Sequence, residues 1–358
     1  MYRFTQHIWR EALSRQMCFS RGWVGAFCGL KNFDYICSME RIDLVYLWVD
    51  GSDPEWLQQK QRALAESGRE YSAQAVAKGR FVQSDELKYS LRSVEKYATW
   101  VDRIFILTAD QRPEWLNMEH PKIRLISHRD FIPAEYLPTF NSSAIEMCIS
   151  EIEELGEKFI LANDDMFLLR PVDPSFFYTP EGLPVARMSP SIVKGSDLYS
   201  NKVLRAQRLV AERYGHSCVR MPHHNMDAYL KEDVKACEEQ FRQEVEATRS
   251  HTFRTEGEFH RSAWLYAALA TGRAEERVVG HYGASRSWWE SWKCRLTGRY
   301  CMESKVVGIH RGDLARRVRK YNPTILCLND TEHATDSQRQ QMKDLLECLF
   351  PEKSSFEK

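Results

Sequence analysis

Ile42-Asp-Leu-Val-Tyr-Leu-Trp-Val49, running straight into Asp50-Gly51-Ser52-Asp53-Pro54-Glu55, is the stretch on which the fold turns. Apart from Asp43, residues 42–49 are apolar and rich in β-branched and aromatic side chains. A continuous apolar run of this length is a strand buried on both faces, the kind found inside parallel sheets. Ser52 and Glu55 have capping-box spacing and Pro54 sits in the first turn, so a helix follows at once. That helix is predicted to run to Ser67 and to stop at Gly68.

Further along, a second helix is expected from about Ser84, because Leu87, Leu91, Val94 and Tyr97 fall on one helical face. Strands are expected at 103–108 (RIFILT), 122–127 (KIRLIS) and 158–162 (KFILA). Between the last two, Asn141 or Ser142 caps a helix whose inner face is Ile145, Ile149, Ile152 and Leu155. Strand and helix alternate from 42 to 162, the pattern of an α/β fold with a mostly parallel sheet. Such sheets bind ligands at the carboxyl ends of their strands. Residues 186–320 read as more helical and more polar, and a strand at 324–328 and a helix at 336–349 follow. The expected organisation is an arm at 1–40, an α/β core at 41–185, a helical region covering the cleft at 186–320, and a returning strand and helix at 321–358.

Composition narrows the function. The chain has 358 residues, 43% of them hydrophobic, with 50 basic residues matching 50 acidic ones. This is a folded chain with no global charge to draw a nucleic acid, so any phosphate-binding surface is local. Its 10 cysteines include no C-x-x-C pair, which argues against a zinc site and for reduced thiols. The sequons at Asn141 and Asn329 fall inside the site motifs and are taken as unused. Trp23 to Leu30 is far short of the roughly 20 apolar residues needed to span a bilayer, and no cleavage site follows it, so export is rejected. Arg10, Arg15 and Arg21 alternate with Trp9, Phe19, Trp23 and Phe27, the pattern of an interfacial membrane helix; a packing or oligomer arm fits equally. A cytoplasmic protein, resting peripherally on the inner face of the membrane, is the expectation.

Three expected strands end in acid: Asp50-Gly51 after the first, Asn163-Asp164-Asp165 after the one at 158–162, and Asn329-Asp330 after the one at 324–328. Carboxylates at the carboxyl ends of parallel strands stand at the mouth of the cleft, where they hold a divalent cation and, through it, a diphosphate. Taken singly, each is as readily a turn residue. Asp85-Glu86 at a helix start is equally explained by the helix macrodipole. In the second half, His223 offers a general base for an acceptor hydroxyl, and Arg254 a positive charge for a phosphoryl group. By spacing alone both are ordinary surface residues.

The chain resembles the Stealth family, which includes bacterial capsular polysaccharide phosphotransferases and the catalytic subunit of the lysosomal-enzyme GlcNAc-1-phosphotransferase. Ile42 to Gly51 carries the first block. Arg80 to Leu168 carries the second, with Asp85 to Tyr97, Pro113 to Asn117, Leu137 to Asn141 and Asn163-Asp164-Asp165. A looser third runs through Met221-Pro222-His223, Phe253-Arg254 and Tyr266 to Ala274; Leu326 to Asp330 and Phe350 to Glu357 carry the fourth. The departure is Gln83-Ser84, where the family usually has Asp-Asn.

The resemblance implies an NDP-sugar donor, usually UDP-linked, with Mg or Mn, and a glycan or polysaccharide acceptor. Sugar-1-phosphate passes to a hydroxyl and nucleoside monophosphate leaves. The expected fold is Rossmann-like and similar to a GT-A glycosyltransferase, with a helical insertion. Donor contacts are expected from Asp50, Gly51, Asn163 and Asn329, metal ligands from Asp164, Asp165 and Asp330, and catalysis from His223, Arg254 and Asp85. A glycosyltransferase releasing nucleoside diphosphate, or a carbohydrate-binding protein without activity, remains open from the residues alone.

Overall fold

The computed structural model describes residues 41–68, 70–71, 84–279, 303–330 and 334–358. The arm expected at 1–40, with its interfacial-helix pattern, and Gln83 lie outside the described residues. In chain order the strands are β1 (Ile42–Leu47), β2 (Ile104–Thr108), β3 (Ile123–Ser127), β4 (Lys158–Asn163), β5 (Met166–Leu168) and β6 (Val185–Ile192). They continue as β7 (Arg220–Pro222), β8 (Asp227–Leu230), β9 (Glu275–Val278), β10 (Ser304–Gly308) and β11 (Ile325–Asn329).

The central sheet has the order β3-β2-β1-β4-β8. The first four strands are mutually parallel and β8 closes the edge antiparallel to β4. The α/β class and the mostly parallel sheet are therefore as the sequence implied. β1 is continuous in its apolarity because it has two cores to fill. Leu44 and Tyr46 join Leu87, Leu91 and Val94 of α2 (Glu86–Tyr97), which follows α1 (Pro54–Ser67), on one face. Val45 joins Phe105, Phe159 and Leu161 on the other. There they pack with Val203 and Ala206 of the Leu198–Tyr214 helix and with Tyr266 of the Ser262–Ala270 helix.

Two smaller sheets flank this one. After Asn163-Asp164-Asp165 the chain reverses into β5, which pairs antiparallel with β11; β11 in turn pairs parallel with β10. β6 pairs with β7 and β9 in the third sheet. The stretch 186–320 is thus less purely helical than its polarity suggested, and its strand β8 belongs to the central sheet. The strands there are short, three to five residues beyond β6, and give little period-2 signal.

Local differences have local causes. The cap of α1 is Asp53, whose Oδ1 accepts from the Glu55 and Trp56 N–H groups at 2.8 and 3.0 Å. Ser52 is unavailable because its hydroxyl donates to Asp50 Oδ1 at 2.6 Å. After α3 (His128–Phe131), the helix begun at Asn141 ends early, as α4 (Ser142–Glu146), and resumes only as a 3-10 turn at Ile149–Glu151. The Met147 carbonyl, which a continuing helix would need, is taken by the Arg249 guanidinium at 2.9 and 2.5 Å. The remaining helices are α5 (Leu198–Tyr214), α6 (Lys231–Gln240), α7 (Arg242–Arg249), α8 (Ser262–Ala270), α9 (Leu314–Tyr321) and α10 (Asp336–Leu349). The C-terminal tail lies on the core: Arg92 grips Glu357 with two bonds of 2.8 Å and the Phe350 carbonyl at 2.7 Å. No helix among the described residues is long and apolar enough to cross a membrane.

Candidate active site

The carboxyl ends of β1, β4 and β11 open on one cleft of about 650 Å³, a volume suited to a ligand of nucleotide-sugar size. Leu47, Trp48 and Val49 come from β1 and its exit, Asn163, Asp164 and Asp165 from β4, and Leu328, Asn329 and Asp330 from β11. The Leu328 N–H donates to the Asp165 carbonyl at 3.0 Å, which brings the last two strand ends together.

One end of the cleft is acidic. Glu86, at the start of α2, is buried and faces Asp164 and Asp165. Burial, then the charge of Asp164, raises Glu86 to about 8. The same two causes raise Asp165 to about 7. Asp165 Oδ2 accepts from Cys327 Sγ at 3.3 Å, while its buried Oδ1 has no hydrogen-bond partner. Asp330 is held by Arg339, with Nε 2.7 Å and Nη2 3.4 Å from its two oxygens.

The other end gathers Lys202 of α5 with Arg254 and Arg261, interleaved with Glu146, His224, His260 and Tyr199. Arg254 Nη2 donates to Ser142 Oγ at 2.5 Å, and burial lowers its pKa. Lys202 pairs with buried Glu258. Burial, then the charges of Arg261 and His223, hold His224 down to about 4, so its imidazole is neutral at pH 7. Trp56 and Phe140 add aromatic lining. Trp56 meets Phe140 edge-on at 5.3 Å, and Phe140 stacks on Phe253 at 5.4 Å.

Of the residues singled out from sequence, Asn163, Asp164, Asp165, Asn329, Asp330 and Arg254 line this cleft. Asp50, Gly51, Asp85 and His223 are not among the lining residues. Asp50 and Gly51 form the turn into α1, with Asp50 Oδ1 accepting from the Ser52 N–H at 2.8 Å. Asp85 is clasped by Lys343 at 2.7 Å and Lys88 at 3.4 Å. Burial pushes its carboxyl up, but the two lysines hold it below the usual range. His223 bonds through Nδ1 to Ser304 Oγ at 2.7 Å, and its neighbour His224 faces the cleft instead. Glu86, read from sequence only as a helix-start acid, and Glu146, Lys202 and Arg261 were not among the expected site residues. Each is a charged residue on or beside a helix, where charge ordinarily means solvent.

Three family models match the chain: Stealth protein CR1, conserved region 1, at residues 40–68; CR2, conserved region 2, at 80–186; and CR4, conserved region 4, at 314–358. A capsular polysaccharide phosphotransferase of Streptococcus thermophilus is 40% identical over 166 residues, 46% of this chain and 69% of that protein. The chain belongs to the Stealth family. An exopolysaccharide phosphotransferase of Streptomyces coelicolor is 35% identical over 334 residues, 88% of this chain and 51% of that protein. One of Nocardia farcinica is 40% identical over 244 residues, 65% of this chain and 47% of that protein. The chain thus spans about half the length of these two relatives. Among solved structures, the galactosyltransferase LgtC in complex with donor and acceptor sugar analogues overlaps 87% of this chain and 96% of its own, with a TM-score of 0.41 and 10% identity. The Stealth matches contain every strand end of the acidic mouth, with Glu86, Asp164 and Asp165 in the second region and Asn329 and Asp330 in the fourth. Lys202, Arg254 and Arg261 lie outside those three stretches.

Proposed function

We propose that this Stealth chain transfers a sugar-1-phosphate from an NDP-sugar, UDP-linked in the first instance, to a hydroxyl of a glycan in capsule or exopolysaccharide synthesis. The observation that carries the proposal is one cleft with carboxylates at one end and guanidinium groups at the other. The acceptor oxygen bonds to the phosphorus next to the sugar, and the bond from that phosphorus to the bridging oxygen breaks. Nucleoside monophosphate leaves with the electron pair, and the hydroxyl proton goes to a histidine. Nucleotide sugars are cytosolic donors, so the reaction belongs on the cytoplasmic side.

Arg254 is suited to the charge that spreads over the phosphoryl oxygens, since a buried guanidinium acts there without screening by water. Proton removal is assigned to the histidines at 223 and 224. His224 faces the cleft as a neutral imidazole, and an anionic donor beside Arg261 raises its basicity. His223 stands behind it against Ser304.

Mg or Mn fits the acidic end. Asp165 Oδ1 is a buried oxygen without a partner, and Glu86, Asp164 and Asp165 repel one another there. Among the described residues no group of three His, Cys, Asp or Glu is set to hold a metal by itself. A cation there would be held by Asp164 and Asp165, with Asp330 nearby, and completed by donor phosphates. When bound, the cation would neutralise the diphosphate and polarise a phosphoryl oxygen.

The test uses a donor carrying ³²P at the phosphate next to the sugar. Label is expected in the acceptor, with the released nucleoside monophosphate cold. Labelled nucleoside diphosphate beside cold acceptor would mean glycosyl transfer and sink the reading; no release at all would mean binding without chemistry. In the same assay Arg254→Ala is expected to lower kcat by roughly 10²–10³, and loss of the general base by roughly 10²–10⁴. Comparing His223→Ala with His224→Ala identifies which histidine supplies it.

A further inference from the structure

Arg261 is a lining cation of the cleft to which the proposed chemistry assigns no contact with the transferred group. It stands immediately before α8, is 7% exposed, and lines the cleft. Its Nη1 is buried with no hydrogen-bond partner. The nearest carboxylates flank it without bonding: Glu146 Oε1 is 3.7 Å from Nη1 and Asp227 Oδ2 is 4.0 Å from Nη2. Those distances give ionic attraction and no hydrogen bond. A buried guanidinium N–H left open in a ligand-sized cleft has a vacancy for an acceptor oxygen.

The surroundings say what kind of oxygen. Glu146 is buried, and its carboxyl feels Arg261, Arg254 and Lys202 together, so the three cations share one region. Lys202 is taken up by Glu258, and among the described residues Arg254 makes a single hydrogen bond, to Ser142. Arg261 also occupies the N-terminal end of α8, where the helix dipole favours negative charge. Glu146, Asp227 and Glu258 offset the three cations in number, so the choice rests on geometry. A neutral sugar hydroxyl could fill one vacancy, whereas two guanidinium groups in one cleft hold a phosphate by its separate oxygens.

We propose that Arg261 is the second arm, with Arg254, of a two-arginine seat for the phosphoryl group linked to the sugar. The seat rests on the sugar-1-phosphate reading above. Its ligand is a phosphate ester, whether the donor's or one already carried by the acceptor polymer.

Calorimetric titration with N-acetylglucosamine-1-phosphate and with UMP, each with Mg, tests the seat without turnover. Two variants are needed because Arg261 is buried between two acids. Arg261→Lys keeps the cation beside Glu146 and Asp227 and loses the fork. Arg261→Gln combined with Asp227→Asn removes an opposed pair at once. Both are expected to bind the sugar phosphate at least about tenfold more weakly than wild type and to bind UMP within about twofold of it. Wild-type affinity of either folded variant for both the sugar phosphate and a glycan phosphodiester fragment overturns the proposal, as does the absence of binding of both to wild type at millimolar concentration. An equal loss for UMP would put the seat under the nucleotide's phosphate and overturn it too. A glycan phosphodiester fragment in place of the sugar phosphate distinguishes the two sources: if only the fragment responds to Arg261, the seat serves the acceptor. Should the ³²P assay fail while this Arg261 dependence persists, the reaction is wrong and the seat stands.

Discussion

Glu258 sets the geometry of the basic end without lining the cleft. Fully buried, it accepts from Asn141 Nδ2 at 2.7 Å and from the Thr255 N–H at 2.6 Å, and it pairs with Lys202. One carboxylate thus ties the loop carrying Arg254 to α4 and α5. Removing one partner of a buried pair leaves an uncompensated charge and costs about 3–5 kcal/mol. Glu258→Leu should therefore lose at least that much stability in urea denaturation, and Lys202→Met/Glu258→Leu should recover the share due to the unpaired lysine but not that of the Asn141 and Thr255 donors. A double variant as unstable as the single one would show that the pair is not the unit. None of this was legible in the sequence. Asn141 read as a cap, and its Oδ1 does accept from the Ser143 N–H at 3.0 Å; that its amide also donates to a glutamate 117 residues away was not readable. A glutamate in a polar loop gives no sign of being buried.

At the scale of elements, α6 carries a second acid that burial has altered. Glu238 is 7% exposed, accepts from Ser150 Oγ at 2.6 Å, and leaves Oε1 without a partner. Burial raises its carboxyl from 4.5 to about 8, against the Ser150 bond and the Arg249 charge. Between those values the folded protein holds a proton that the unfolded chain has released, so this group's contribution is complete below about 4.5 and is lost as pH rises through 8. Glu238→Gln stays neutral throughout. Its stability relative to wild type should rise by about 4 kcal/mol between pH 5 and pH 9, at up to about 1.4 kcal/mol per unit. Parallel stability curves from urea melts at pH 5, 7 and 9 would sink the assignment. The elements themselves divide by how completely they are buried. β1, β2 and β4 read clearly because both faces are packed, and α10 ran from Asp336 to Leu349 as expected. α4 did not, because Arg249 reaches it from α7, a tertiary contact no local pattern encodes.

Across the whole molecule, the acidic mouth is assembled by chain segments far apart. β4 supplies Asp164 and Asp165, β11 supplies Asp330, and α10 holds Asp330 through Arg339 and Asp85, at the start of α2, through Lys343. Of the three acidic strand ends read from sequence, those at 163–165 and 329–330 line the cleft, and the motifs gave no sign that one of their acids is clasped by an arginine. This separates two roles for Asp330. If it ligates the metal, Asp330→Ala should weaken activation by Mg or Mn about as much as Asp164→Ala or Asp165→Ala. If it is a clasp for α10, Asp330→Ala and Arg339→Ala should each lower stability by about 1–2 kcal/mol, and the double variant no more than either, a coupling within the range for residues in contact. The side chain of Asp330 is 10% exposed and both its oxygens meet Arg339, so the clasp is the expected outcome. The metal concentration for half-maximal activation should then stay within about twofold of wild type in Asp330→Ala, while Asp164→Ala and Asp165→Ala abolish turnover. A tenfold rise in that concentration for Asp330→Ala would return Asp330 to the metal, and full wild-type activity in excess EDTA would remove the metal from the mechanism altogether.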